Sequence, residues 1–424
     1  MLGYLLGRSG IRVTVLEKHR DFFRDFRGDT VHPSTLEVLY ELGLLDEFLR
    51  LPHDEVTSAS AVFGDFQFEV ADLRHVPARC KFIALMPQWG FLNFLSSHAK
   101  RQPSFDLRME HEAVDLIREG DRIAGVVVRG PEQREIHVRA DLVIGCDGRH
   151  SNTRRAAGLD LIEFGVPIDV LWFRISRRQG DPAHVLGNFN YGKALVLIDR
   201  SDYFQAGLLI PKGSFDEIRR RGLAAFRQSI RQIAPFLDGR VEELKDWEQV
   251  KILTVQLDRL RQWYRKGLLC VGDAAHAMSP AGGVGINLAI QDAVAAANLL
   301  TGPLLQGGLT EKSLAAVQRR REFPTRITQA VQAQVHQRFA AAFRNPGPAK
   351  APWQLKLAVR IPGIHRALGY AVGIGARPEH VRPQRRPSIF AVGVGVAVGV
   401  AVGLRYIRLA GRSPHTRTRP IPGT

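Results

Sequence analysis

Apolar positions along this chain change period several times, and each change marks an element. Residues 11–17 form a short apolar run that predicts a buried strand, and a charged connection follows from Lys18 to Arg27. Gly28 to Ser34 breaks the pattern, with Ser34 placed to cap a helix from Thr35 that stops at Gly43. Residues 58–70 alternate as a strand does, and a helix is predicted from Gly90 to Lys100. Further strands are expected near 105–118, 122–129 and 135–146. Between about Asp160 and Asp258 the runs 170–176, 194–198 and 203–210 read as a separate sheet, followed by a charged helix from Phe215 to Ile233. The run Gly267–Val271 predicts a buried strand, then a glycine-rich turn, then an alanine-rich helix from Asn287 to Leu300. Helices continue from Thr310 to Phe343, with Pro324 expected to interrupt or kink them.

The strand and turn at 267–287 carry the first chemistry. A strand tip, a glycine-rich turn and a helix N-terminus make a cradle in which backbone N–H groups converge on a polar ligand. The acceptor at this tip is an acid, Asp273, which suits a ribityl or ribose hydroxyl better than a phosphate. That chemistry points to a flavin nucleotide.

Gly272-Asp273 with Pro280, Gly282, Gly283, Gly285 and Asn287 resembles the second FAD motif of the group A flavoprotein aromatic hydroxylases, the family of para-hydroxybenzoate hydroxylase. Asp147-Gly148, after the apolar run Leu142–Cys146, resembles that family's DG motif, and Ser151 and Arg155 continue the pattern. Val13 to Glu17 resembles the second strand of its dinucleotide-binding unit, which ends in a ribose-binding acid. The order and spacing agree over roughly residues 1 to 380.

The resemblance implies an α/β fold. A Rossmann-like FAD-binding domain, three-layered around a parallel sheet, would occupy 1–159 and 263–380, with an inserted mixed β-sheet substrate domain at 160–262. It implies FAD as cofactor and NADH or NADPH as co-substrate. It also implies hydroxylation of an aromatic or phenolic small molecule by O2 through a flavin C4a-hydroperoxide. Glu17 and its neighbour Lys18 would serve the adenosine end of FAD. Arg27 and Gln88 would line the cofactor, and Asp147 would order arginines near the pyrophosphate. Gly148, Gly282, Gly283 and Gly285 would let the backbone approach it. Gly272 and Asp273 would hold the ribityl chain, while Ile286 and Asn287 would offer backbone N–H groups to the flavin pyrimidine. Pro280 is the catalytic candidate: its carbonyl could face a substrate hydroxyl, or the proline could be purely conformational. His276 reads as a packing residue, and Trp172, Phe173, Phe189, Tyr191 and Phe204 are candidate walls of an aromatic pocket.

Against this pattern the front of the chain departs: the strand and the G-x-G-x-x-G fingerprint are not in the sequence, which opens on Met1 to Gly10. Gly3 and Gly10 fit the spacing of the helix that follows those glycines. The expectation is an internal methionine start or a truncated gene, with in-frame upstream codons spelling an apolar strand and three glycines.

Composition narrows the remaining classes. Hydrophobic residues make up 45% and charged residues 24%, as in ordinary globular proteins. The cysteines, 80, 146 and 270, form no C-x-x-C pair, and two lie in apolar runs, so buried reduced thiols in a cytoplasmic protein are expected. The histidines lack ligand spacing, so no metal is expected. Net charge is +17, of which residues from Arg377 onward contribute +8. Without an aromatic platform or a binding motif this basicity does not predict nucleic-acid binding; an anionic cofactor and reductant explain it better. The last 44 residues, 381–424, form a basic Val/Gly-rich tail. Its apolar run 389–404 would span about 24 Å as a helix, short of the roughly 30 Å hydrocarbon core, which leaves a membrane tether and a disordered extension both open. Two rivals to the hydroxylase reading stand beside it: an FAD oxidoreductase acting on a lipid or isoprenoid, and a remnant without catalysis.

Overall fold

A computed structural model describes residues 1–23, 30–182, 185–200, 202–345 and 347–383. Arg27 and the tail run 389–404 lie outside these residues. Contacts divide the chain into a compact unit, Met1–Val381, and a short unit, Arg382–Thr424.

The first helix, Leu2–Arg8, buries Leu2, Leu5 and Leu6 and lies close on the strand Val13–Glu17. Gly3 permits that approach, since a Cβ there would meet Val15 Cγ2 at 2.8 Å and Phe105 Cε2 at 2.9 Å. Val13–Glu17 pairs in parallel with Phe105–Met109, while Val143–Gly145 pairs in parallel with Leu268–Cys270. Among the described residues these two parallel pieces are not hydrogen-bonded to each other. One core nevertheless joins them, drawing on Leu5, Leu36, Leu39, Phe48, Phe91, Cys270, Val294 and Leu300. Parallel strands flanked by helices give the expected α/β architecture.

A seven-stranded mixed sheet forms the second body of structure. Its order is Lys251–Leu253, Ile168–Ser176, Tyr203–Pro211, Lys193–Arg200, Val185–Asn190, Ser58–Phe63, Phe66–Asp72. The hairpin 58–72 thus joins this sheet from earlier in the chain, through a parallel pairing of Val185–Asn190 with Ser58–Phe63. Its faces sort by the two-residue period of a strand. Leu171, Phe173, Ile175, Leu195, Leu197, Phe204 and Leu208 turn to the helix Leu223–Ile233. Ile168, Val170, Trp172, Ala194, Val196 and Leu209 turn to the opposite face, where they meet Met278, Leu288 and Phe339.

Several local expectations shift for identifiable reasons. The stretch 105–118 divides into Phe105–Met109 and Glu112–Glu119, with Glu110 left-handed between them. Gly222, at φ +88°, breaks the charged helix into Phe215–Arg220 and Leu223–Ile233. The helix expected after a Ser34 cap starts earlier, at Pro33, whose fixed φ suits a first helical turn; Ser34 lies inside it and makes no capping bond. Pro324 leaves Glu311–Phe343 one helix, because that helix is packed along its length against the glycine loop and its neighbours. Cys80 and Cys270 are buried free thiols, whereas Cys146 stands exposed just past its strand. One helical stretch, Ala281–Leu305, is long and apolar enough to cross a membrane, but more than half of its apolar window is buried and it carries the buried Asp292.

Candidate functional site

Two strands run in parallel with Gly145 beside Cys270, so the segments leaving their carboxyl ends emerge together. Ligands of open α/β sheets bind at such ends. The first segment carries Asp147, Gly148 and Arg149; the second carries Gly272 and Asp273. Arg149 bridges them, its Nε donating to Asp273 Oδ2 at 3.1 Å and its Nη2 to the Met278 carbonyl at 3.4 Å. Arg154, buried on the helix Asn152–Ala156, donates to the Ala274 and Arg149 carbonyls at 3.3 and 2.6 Å. Asp273 itself stays half-buried, with a carboxylate oxygen free to accept from a ligand hydroxyl.

Asp147 behaves differently from the expectation that it orders arginines. Its Oδ1 accepts from Ser151 Oγ at 2.5 Å and Thr153 Oγ1 at 2.9 Å, and its Oδ2 from the Thr153 N–H at 2.9 Å. The carboxylate is spent on starting the next helix, and the arginine bridge goes to Asp273. Gly148 is left-handed at φ +80°, and a Cβ there would touch nothing.

Behind Asp273 lies a buried charge cluster. Asp292, fully buried in the helix Gly285–Leu305, accepts from the Gly272 N–H at 3.1 Å, from His276 Nε2 at 2.6 Å and from Arg321 Nε at 2.9 Å. Burial alone would raise its carboxyl pKa, but His276 and Arg321 together hold it below the ordinary value. Arg321 also reaches the Arg377 carbonyl and Glu379. His276 therefore packs, 4.9 Å from the Trp263 ring, and orients the loop.

The glycine loop is fixed from both sides. Glu311–Phe343 lines up Gln329, Gln332 and His336 along it: Gln332 pairs with the Ser279 N–H and with the Ser279 and Ala281 carbonyls, and His336 Nε2 lies 2.7 Å from Ser279 Oγ. Burial lowers the His336 pKa. Pro280 opens a tight turn whose Gly283 N–H donates to the Pro280 carbonyl at 3.0 Å, so that carbonyl already has one partner. On the other side the Asn287 side chain accepts from the His32 N–H and Thr35 Oγ1, and donates to the Thr30 and Gly283 carbonyls. That leaves the backbone N–H groups of Gly285, Ile286 and Asn287, in the first helical turn, without intrahelical acceptors. Gly283 meets Thr30 so closely that a Cβ would lie 2.5 Å from Thr30 Oγ1, whereas Gly282 and Gly285 have room on their open sides.

Glu17 ends its strand with Oε1 accepting from the His19 N–H at 3.0 Å; Lys18 beside it is exposed. Gln88 is the first residue of the helix Gln88–Ala99 and is half-buried. Of the aromatic candidates, Trp172 and Phe189 lie on the sheet face that meets the loop; Phe173 and Phe204 lie on the opposite face. Tyr191 is at a turn, left-handed at φ +50°. The residues that pattern reading missed are Arg149, Arg154, Thr30, Asp292 and Arg321. Only Asp292 left a trace: an acid within an alanine-rich apolar helix needs a buried partner.

This donor set suits a flavin nucleotide. It combines a half-buried carboxylate at a strand tip, free first-turn N–H groups and glycines whose Cβ positions are open. A family model described as an FAD binding domain matches residues 1–331. The 6-methylpretetramide 4-monooxygenase of Streptomyces rimosus is 34% identical over 343 residues, covering 78% of this chain and 79% of that protein. The rifampicin monooxygenase of Streptomyces venezuelae is 26% identical over 305 residues, covering 69% of this chain and 60% of that one. Among solved structures, the p-nitrophenol 4-monooxygenase of Pseudomonas putida DLL-E4 superposes with a TM-score of 0.71 at 20% identity, over 89% of this chain and 95% of that chain. With the fold, the strand-tip acid and the family match in agreement, the chain belongs to the FAD binding domain family and is an FAD-dependent monooxygenase of the flavoprotein aromatic hydroxylase type.

Proposed function

We propose that the chain hydroxylates a phenolic substrate of the chemical class of 6-methylpretetramide, held between the glycine loop and the sheet face of Trp172 and Phe189. The half-buried Asp273 carboxylate, fixed by Arg149 and backed by Asp292, carries this reading, because it sets a hydroxyl acceptor beside backbone that can come close to a ring. When bound, FAD supplies the transfer of electrons from NAD(P)H to O2 and of one oxygen atom to the aromatic ring.

The arrangement supports the following residue roles. Asp273, steadied through Gly272, accepts from the ribityl chain; Gly148, Gly282 and Gly285 keep the approach clear, while Gly283 lets the loop close on Thr30; Ile286 and Asn287 offer N–H groups to the pyrimidine edge. Glu17 takes the adenosine ribose, and Lys18 and Gln88 flank the cofactor. Pro280 acts by shaping the turn, since its carbonyl is bonded to Gly283. Asp147 holds the start of the helix that carries Arg154. On the substrate side Trp172 Nε1 is buried without a protein acceptor, and we assign it as donor to the phenolic oxygen. The apolar wall of Val170, Val196, Leu209 and Phe339 excludes water from that face.

The test is direct. Purified protein titrated with FAD should develop the bound-flavin visible band, and Asp273→Ala should weaken that binding by about 10- to 100-fold. NAD(P)H oxidation should rise with phenolic substrates and yield a product heavier by one oxygen atom. Stimulation by isoprenoid lipids and not by phenols would replace this substrate class with the lipid reading.

A further inference from the structure

The segment 347–381 runs over the surface as a strap whose inner side is closely fitted. The Ala349 N–H donates to Asn190 Oδ1 at 2.8 Å, and a Cβ on Gly64 would meet the Ala349 carbonyl at 1.9 Å. Farther on, Gly369 packs against Asp72 backbone and Gly373 against Leu73 and Pro33. The outward side of this anchored strap is apolar where solvent would favour polar residues. Trp353 is 69% exposed, Leu357 58% and Ile361 52%. The first two are one turn apart on the helix Trp353–Ala358, and hydrogen-bonded turns carry the chain on to Ile361.

Along the strap itself the exposed charge has one sign. Lys350, Lys356, Arg360 and Arg366 are exposed, and the one acid of the segment, Glu379, is buried against Arg320 and Arg321. By sequence, a further apolar run, 389–404, bracketed by Arg385, Arg386, Arg405 and Arg408, follows shortly after.

We propose that this strap docks the protein on an anionic lipid surface, with Trp353, Leu357 and Ile361 entering the headgroup layer and the four cations meeting lipid phosphates. A tryptophan with aliphatic neighbours and a basic border is the composition of an interfacial helix. Each cation near such a surface contributes about fivefold to partitioning. Two copies meeting face to face through this strap would set like charges against each other, which opposes self-association as its occupant.

The experiment uses the full chain with vesicles of phosphatidylglycerol mixed into phosphatidylcholine, against phosphatidylcholine alone. Protein should partition to the mixed vesicles and not to the neutral ones. The triple variant W353S/L357S/I361S should lower that partition by at least about tenfold with flavin content unchanged. Brominated lipid should quench tryptophan fluorescence in wild type and in Trp89→Phe, and fail to quench Trp353→Phe; the run 389–404 holds no tryptophan, so this readout reports the strap alone. Partition of the triple variant equal to wild type, binding to neutral vesicles alone, or unquenched Trp353 would overturn the proposal. So would a wild-type dimer in solution that the triple variant loses.

Discussion

Asp292→Asn perturbs the site without touching any surface that a ligand could reach. The carboxylate is the acceptor for three donors, the Gly272 N–H, His276 and Arg321, and both it and Arg321 are buried. An amide keeps the volume but presents one acceptor and two donors to those three donors. Breaking a buried pair by removing one partner leaves an uncompensated charge and costs about 3–5 kcal/mol. Glu379 and the Arg377 carbonyl keep part of the Arg321 guanidinium satisfied, so the lower end, about 3 kcal/mol, is expected. That is a large fraction of the roughly 5–15 kcal/mol of a typical domain. Urea unfolding followed by tryptophan emission reads it well, because the fully buried Trp263 lies 4.9 Å from the His276 ring.

The effect should also depend on pH with a defined sign. The Asp292 carboxyl is depressed in the folded chain, so its contribution is complete above the ordinary value of 3.8 and is lost as pH falls through the lower folded value. The difference between wild type and variant should therefore be full at neutral pH and shrink below about pH 4. In a double-mutant cycle, D292N with Arg321→Met should cost less than the two singles together by at least about 1 kcal/mol. A D292N midpoint indistinguishable from wild type, or strict additivity, would show that the cluster does not hold the Gly272-Asp273 loop.

Three further outcomes follow from the same geometry. His32 is fully buried with Nδ1 on the Val372 carbonyl, and burial pulls its pKa from 6.5 down to about 4. The unfolded chain then binds a proton that the folded chain does not, so stability falls as pH drops from 6.5 toward 4. His32→Gln should remove about 3 kcal/mol of that slope in denaturation curves; an unchanged slope refutes it. Gly283→Ala places a Cβ 2.5 Å from Thr30 Oγ1 at a φ of +62°, and should cost about 2 kcal/mol or more and weaken flavin binding. Thr30→Ala in the same chain should restore part of that loss, and an absence of any rescue would show that the contact is not the cause. Trp172→Phe should raise KM for a phenolic substrate about tenfold with flavin affinity unchanged; a flavin effect of equal size would move Trp172 out of the substrate wall.

Local pattern was enough for the elements that carry a buried stripe or a fixed punctuation. The strand Val13–Glu17, the stop at Gly43, left-handed at φ +71°, and the Gly272–Asn287 loop all follow from residue order, because apolar period, glycine and strand-tip acid act within a few residues. Tertiary structure decided what depends on distant partners. It set Arg149 on Asp273, spent Asp147 on its own helix, kept Glu311–Phe343 continuous through Pro324, and drew the hairpin 58–72 into the second sheet. It also chose between aromatics of alternate parity, turning Trp172 to the loop and Phe173 away from it. The physical reason is one of range. Hydrophobic period and backbone conformation are local properties of the chain. Which carboxylate meets which arginine, and which sheet face meets the loop, is settled only when segments distant in sequence bring their charges and apolar faces together.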